Sequence, residues 1–216
     1  MRTMICVPCM DKVDTPFFRS WSDMIRYSMI RKIDFDWTTS ETSLVYDARN
    51  QLARTAIEEG YDRIMWIDTD MTFGPDLLER LSADLDEGRE FVAALFFGRK
   101  RPIWPCVYSE TGYRELEDKT YLPYAEKLKD YPRNQIFEVE AAGAGAFMVT
   151  TDLVKRIADR FGLPFSPFIG FGEDLSFCRR AKELGATLYC DSRIKVGHIG
   201  LVIIDEAYYD SVRLQQ

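Results

Sequence analysis

The sequence predicts an α/β fold with a single central, mostly parallel mixed sheet flanked by helices. Three observations predict it. Strand-like and helix-like apolar patterns alternate through the first half of the chain, which is the order that builds parallel sheets. The run Arg63-Ile64-Met65-Trp66-Ile67 is almost wholly apolar, as a strand buried on both faces must be, and it leads straight into Asp68-Thr69-Asp70. A length of 216 residues, 46% hydrophobic and 29% charged, suits one domain with a sizeable core. No repeat, low-complexity stretch or linker divides the chain, so 1–216 reads as a single domain.

Each element has a local reason. Residues 2–7 read as a first strand, ended by Pro8. Asp14 or Thr15 caps a helix with Pro16 at its first position. Phe17, Phe18, Trp21, Met24, Ile25, Met29 and Ile30 then recur at helical spacing along it. Residues 33–38 alternate as a second strand. Residues 39–43 form a polar loop, and 44–59 a strong helix closed by Gly60. After the strand at 63–67, Gly74-Pro75 opens a helix over 76–87 that Gly88 closes, and 91–97 is another buried strand. A short strand falls within 102–108. Residues 112–133 are polar, tyrosine-rich and weakly patterned, and read as an insertion or mobile loop over a site. Strands at 137–141 and 146–149 flank Gly143-Ala144-Gly145. Helices follow at 152–161 and 173–184, then short strands at 187–190 and 195–198. An amphipathic tail reads as a helix from Asp205.

Composition narrows the function. A net charge of −7 and a sequence pI near 4.9 argue against nucleic-acid binding and against a basic membrane-docking face. Arg99-Lys100-Arg101 is a candidate local basic pocket. No apolar run approaches the roughly 20 residues that span a bilayer, and the first five residues are too short for a signal peptide. A cytoplasmic protein with no transmembrane segment is therefore expected. Five cysteines, Cys6, Cys9, Cys106, Cys178 and Cys190, are scattered through apolar patterns, as buried reduced thiols are. Cys6-Val7-Pro8-Cys9 has redox-motif spacing. Without a second such pair a four-thiolate zinc site is not expected.

Four constellations carry candidate chemistry. Asp68 and Asp70 fall on one side of an extended backbone. There they either repel or share a hard divalent ion that also takes phosphate oxygens; the other reading is an exposed turn. Arg49 and Asn50 lie on the preceding helix, where Arg49 either reaches a phosphate or base or stays a surface arginine. His198, the only histidine, ends a strand and is either a metal ligand or inert. Glu173 and Asp174 open a helix, where the dipole favours acids anyway. Beside Phe168 and Phe171, one of them can instead act as a general base of raised pKa. Gly143 and Gly145 let backbone approach a ligand, or form a turn; they do not make a dinucleotide fingerprint.

Taken in order, these pieces resemble a family-2-like glycosyltransferase of the GT-A fold. The motifs are Val7-Pro8, Asp47-Ala48-Arg49-Asn50, Trp66 to Met71, Ala142 to Val149, Gly172 to Arg180 and Val196-Gly197-His198. The resemblance implies a nucleotide-diphosphate sugar donor, Mn²⁺ or Mg²⁺ on its diphosphate, and an unidentified glycan, protein or small-molecule acceptor. It implies metal binding by Asp68, Asp70 and His198, with Asp68 also on the ribose. It further implies Asp174 as catalytic base, with Glu173 second, and a pocket lined by Pro8, Arg49 and Asn50. Gly143 and Gly145 would lie near donor sugar and acceptor. The chain is compact for such an enzyme, and 112–133 is the one segment open to acceptor recognition.

Two other functions compete. One is a catalytically silent nucleotide-sugar or glycan-binding protein of the same fold. The other is a dithiol oxidoreductase using Cys6 and Cys9, in which activation by the helix dipole is poor because Cys9 precedes the helix cap by several residues.

Overall fold

A computed structural model describes residues 1–10 and 12–213. In chain order the first half contains β1 (Thr3–Pro8), α1 (Thr15–Ile30), β2 (Phe35–Ser40), α2 (Val45–Glu58), β3 (Arg63–Ile67), β4 (Met71–Phe73), α3 (Leu77–Asp86) and β5 (Phe91–Leu95). The second half contains β6 (Val107–Glu115), β7 (Tyr121–Lys127), β8 (Ile136–Val139), β9 (Ala141–Ala142), β10 (Ala146–Thr150), α4 (Thr151–Phe161), α5 (Glu173–Glu183), β11 (Leu188–Ile199), β12 (Ile203–Ile204) and α6 (Glu206–Val212).

The main sheet runs β12-β11-β5-β10-β3-β1-β2, with β4 and β8 also paired to β11. The strand singled out above, β3, lies inside it between β10 and β1. All five residues of β3 are buried. Ile64 and Trp66 pack into the core on one face, Met65 and Ile67 into the core on the other. This period-two division is why Ile64 to Ile67 are all apolar. Arg63, at its start, escapes by bonding Asp86 at 2.7 Å and the Ser82 carbonyl at 3.0 Å.

The expected single, mostly parallel sheet needs correction. β1 is parallel to β2 and β3, and β11 to β5. However, β10 enters antiparallel between β3 and β5, and β4, β8 and β12 all meet β11 antiparallel. A second, three-stranded sheet, β7-β6-β9, stands beside the first. Apolar runs reveal a strand's burial but not its direction, so β10 could not be oriented from sequence.

Three local expectations also shift. Part of 112–133 is not a loop but the paired β6–β7 ribbon, with Gly112 opposite Tyr124 and Lys119 at φ 64° in the turn. Most of its residues are exposed or half-buried, so no apolar alternation marks it. The two short strands at 187–190 and 195–198 are one strand, β11, broken by an irregularity between Asp191 and Lys195. On α1, Phe17 and Met24 enter the core, but Phe18, Met29 and Ile30 are exposed. The tail helix is present as α6, its Asp205 carboxylate accepting from Tyr208 N at 2.8 Å.

Candidate functional site

The parallel strands β1, β2 and β3 end side by side, and a cleft of about 370 Å³ opens at those ends. Pro8, Lys12, Thr42, Ser43, Asp68, Thr69 and Asp70 are among its walls. An open α/β sheet offers ligands this position, because loops diverge there and leave a crevice.

Asp70 and His198 meet through strand pairing. The three residues after Asp70 form β4, which lies antiparallel to β11 with Met71 opposite His198. Ile199 N donates to Asp70 O at 2.7 Å. This register sets His198 Nε2 3.3 Å from Asp70 Oδ2. The other ring nitrogen, Nδ1, lies 2.8 Å from the Phe97 carbonyl. A carbonyl only accepts, so Nδ1 carries the proton. In the neutral ring the Nε2 lone pair then faces a carboxylate oxygen. The Phe96 and His198 rings pack T-shaped, their centroids 5.5 Å apart. Burial by itself would raise the Asp70 carboxyl, but when the ring is protonated on both nitrogens its hydrogen bond to Asp70 and its charge, together with the Arg99 charge, prevail and leave the carboxyl below its ordinary value.

Asp68 has a different partner. Its Oδ1 accepts from Arg49 Nη2 at 2.7 Å, and the same nitrogen reaches the Ala144 carbonyl at 3.2 Å. Arg49 Nε lies 3.5 Å from Glu173 Oε1. The guanidinium is 1% exposed and lies over the Trp66 and Phe165 rings. Arg49, expected in the pocket lining, thus sits beneath it and ties β3, the glycine edge and the start of α5 together. Burial pushes the Asp68 carboxyl up; Arg49 opposes this, while Asp70 and Glu173 add to it.

Asp174 lies one residue further along α5. Burial, then the neighbouring Glu173 charge, pushes its carboxyl up to about 6, against a hydrogen bond from Leu175 N at 2.7 Å. Sequence reasoning missed its surroundings on β6 and β7. Tyr108 and Lys127, joined at 2.6 Å, both feel the Asp174 charge, and burial lowers the Lys127 ammonium. No signal pointed to them, because they lie on the ribbon that had no pattern.

Two further expectations are placed elsewhere. Asn50 turns from the cleft, its Oδ1 accepting from Phe165 N at 2.9 Å, and holds the loop before α5. Gly143 and Gly145 are packed against Phe96: an added Cβ would lie 2.7 and 3.0 Å from that ring's Cζ. Their missing side chains therefore admit Phe96. The Gly145 carbonyl in turn accepts from Asp68 N at 2.9 Å, fixing the strand end that carries the acids.

Among the described residues, no group of three or more His, Cys, Asp or Glu is disposed to hold a metal ion. One Asp68 oxygen is held by Arg49, and Asp70 and His198 meet as a separate two-residue pair. Ions of the Mg²⁺ type commonly take one or two protein ligands and fill their shells with phosphate oxygens and water, so Asp70 and His198 are the residues that could hold one. The Nδ1–H bond to a backbone carbonyl is the support a metal-ligating imidazole needs. The dithiol alternative fits poorly, since Cys6 is wholly buried and burial pushes its thiol well up. Among the described residues no helix is long and apolar enough to cross a membrane.

No protein-family model and no curated protein matches the chain. Solved structures do. A197 from STIV is similar with a TM-score of 0.62 at 18% identity, over 93% of this chain and 86% of that one. Apo UDP-glucose pyrophosphorylase is similar with a TM-score of 0.52 at 9% identity, over 100% of this chain and 98% of that one. Identities this low speak to fold alone: the chain shares the mixed α/β fold of these two structures.

Proposed function

We propose that the chain is a metal-dependent, family-2-like glycosyltransferase that moves a sugar from a nucleotide-diphosphate donor to an acceptor hydroxyl with inversion. The supporting observation is the meeting of Asp70, in the cleft wall, with His198, 3.3 Å apart, the second imidazole nitrogen being committed to a carbonyl. Two groups with lone pairs facing each other across that gap accommodate a cation better than they accommodate each other.

In this reading Asp70 and His198 hold the ion, and Asp68 orients the donor while Arg49 braces it from below. When bound, the ion supplies charge neutralisation for the departing diphosphate. Asp174 accepts the proton of the acceptor hydroxyl as the new glycosidic bond forms. Its value near 6 keeps it ionised at neutral pH yet basic enough for the task. Glu173, paired with Arg49, holds the start of α5 in place.

The test is thermal unfolding with a panel of nucleoside diphosphates, with and without Mn²⁺. A diphosphate at a hundred times its Kd stabilises by about 2.7 kcal/mol, or about 5–10 °C for a chain of this size. The shift is expected with Mn²⁺ only, and to disappear in Asp70→Asn. If no nucleoside diphosphate produces a Mn²⁺-dependent shift, the reading fails. Turnover is read separately as nucleotide released from the matching sugar donor, slowed about 10²-fold or more in Asp174→Asn. A catalytically silent binding protein of the same fold shows the shift without the release.

A further inference from the structure

We infer that Arg99 is a resident counter-cation for the Asp70–His198 pair, which an entering divalent ion displaces and which then binds the donor diphosphate. This rests on the metal-dependent reading above and adds a residue to it.

Arg99 Nη1 lies 2.9 Å from Asp70 Oδ2, the same oxygen that faces His198 Nε2. That nitrogen also donates to the Ile199 carbonyl at 3.1 Å. The guanidinium therefore takes up the Asp70 oxygen that an ion between Asp70 and His198 would need. It supplies positive charge where a carboxylate and an imidazole lone pair otherwise confront each other. Its attachment is loose. The side chain is 48% exposed, against 1% for Arg49. Its stem rests on the Gly200 turn, where an added Cβ would lie 3.4 Å from Arg99 Cδ.

An arginine keeps its charge at any working pH, so it cannot make way by losing a proton; it has to move. An exposed ion pair costs little to break. The anion that arrives with the ion is the diphosphate, and a planar guanidinium fork matches phosphate oxygens in two-point geometry. Arg99 would thus oppose the bare ion and favour the ion with its diphosphate. The same side chain would discourage filling of the site before substrate is present.

The test measures Mn²⁺ affinity of the full chain without nucleotide, then affinity for inorganic pyrophosphate at saturating Mn²⁺. Wild type is compared with Arg99→Met, which keeps the stem and drops the charge, and with Arg99→Lys. Arg99→Met is expected to bind Mn²⁺ about tenfold more tightly and pyrophosphate about tenfold more weakly. Arg99→Lys should lie between it and wild type on both measures. A merely structural role would weaken both together, and that outcome overturns the inference. So does wild-type Mn²⁺ affinity in Arg99→Met. If wild type binds pyrophosphate no more tightly with Mn²⁺ than without it, the metal-dependent reading falls and this inference with it. If wild type binds Mn²⁺ and pyrophosphate and Arg99→Met alters neither, this inference alone falls.

Discussion

Asp68 and Asp70 stand one residue apart, and each meets an arginine, yet the two pairs are built in opposite ways. Asp68 is held by Arg49, which is 1% exposed, lies over two aromatic rings and also reaches Glu173 and a backbone carbonyl. Asp70 is held by Arg99, half in solvent on an exposed loop. The carboxyls respond in opposite directions, Asp68 raised and Asp70 lowered. A buried charge is costly to separate from its partner, whereas a rim charge exchanges partners cheaply. The inner pair is therefore scaffold and the outer pair is replaceable, although the sequence writes both as Asp within three residues.

The largest effect should come from breaking the inner pair. Arg49→Leu fills the space but leaves Asp68 and Glu173 without their cation. A loss of about 3–5 kcal/mol in urea unfolding is expected, as for other buried pairs that lose one member. Arg49→Lys should recover only part, because a single ammonium cannot span both acids and the Ala144 carbonyl. A loss below about 1 kcal/mol for Arg49→Leu would put Arg49 in the same class as Arg99 and erase the contrast.

Next in size is a pH effect at the head of α5. The Asp174 carboxyl is raised in the fold to about 6 from an ordinary value of 3.8. The fold thus favours its neutral form. That stabilisation is full below pH 4 and is lost as pH rises through about 6. Two units correspond to roughly 3 kcal/mol. Asp174→Asn, which stays neutral, should therefore be more stable than wild type at pH 8 and level with it near pH 4. Asp70 has the opposite sign: its contribution is present above the ordinary carboxylate range and is lost as pH falls below it. An Asp174→Asn advantage that does not vary with pH would mean that packing, rather than ionisation, separates the two proteins.

Much of this site was legible because β3 is apolar on both faces and must end somewhere polar; the motif Asp68-Thr69-Asp70 marks that end. The helices were legible from their period and their terminal glycines, with Gly60, Gly88 and Gly185 all at positive φ. Strand direction was not, since β10 reads the same either way along its apolar run. The meeting of His198 with Asp70 was expected from the resemblance, not from periodicity, because it depends on β4, three residues too short to show a pattern. Arg49 was misplaced for a physical reason. A charged residue on a helix normally faces water, and only the three-dimensional gathering of Asp68, Glu173 and the Ala144 carbonyl makes its burial tolerable. The β6–β7 ribbon was hidden because a strand pair with both faces largely in solvent needs no alternation.

The smallest effect is the sharpest check on the outer pair. Arg99→Met removes an ion pair at 2.9 Å whose arginine is half exposed. The expected change in unfolding free energy is within about 1 kcal/mol at low salt. It should shrink further as ionic strength rises toward 1 M, where the screening length falls to about 3 Å. Arg49→Leu should keep nearly its full cost across the same salt series, because water and ions do not reach a side chain that is 1% exposed. Equal salt sensitivity in the two variants would mean that solvent reaches both arginines alike. Asp68 would then be as free to change partners as Asp70, and the two acids would act as one exposed cluster rather than as scaffold and site.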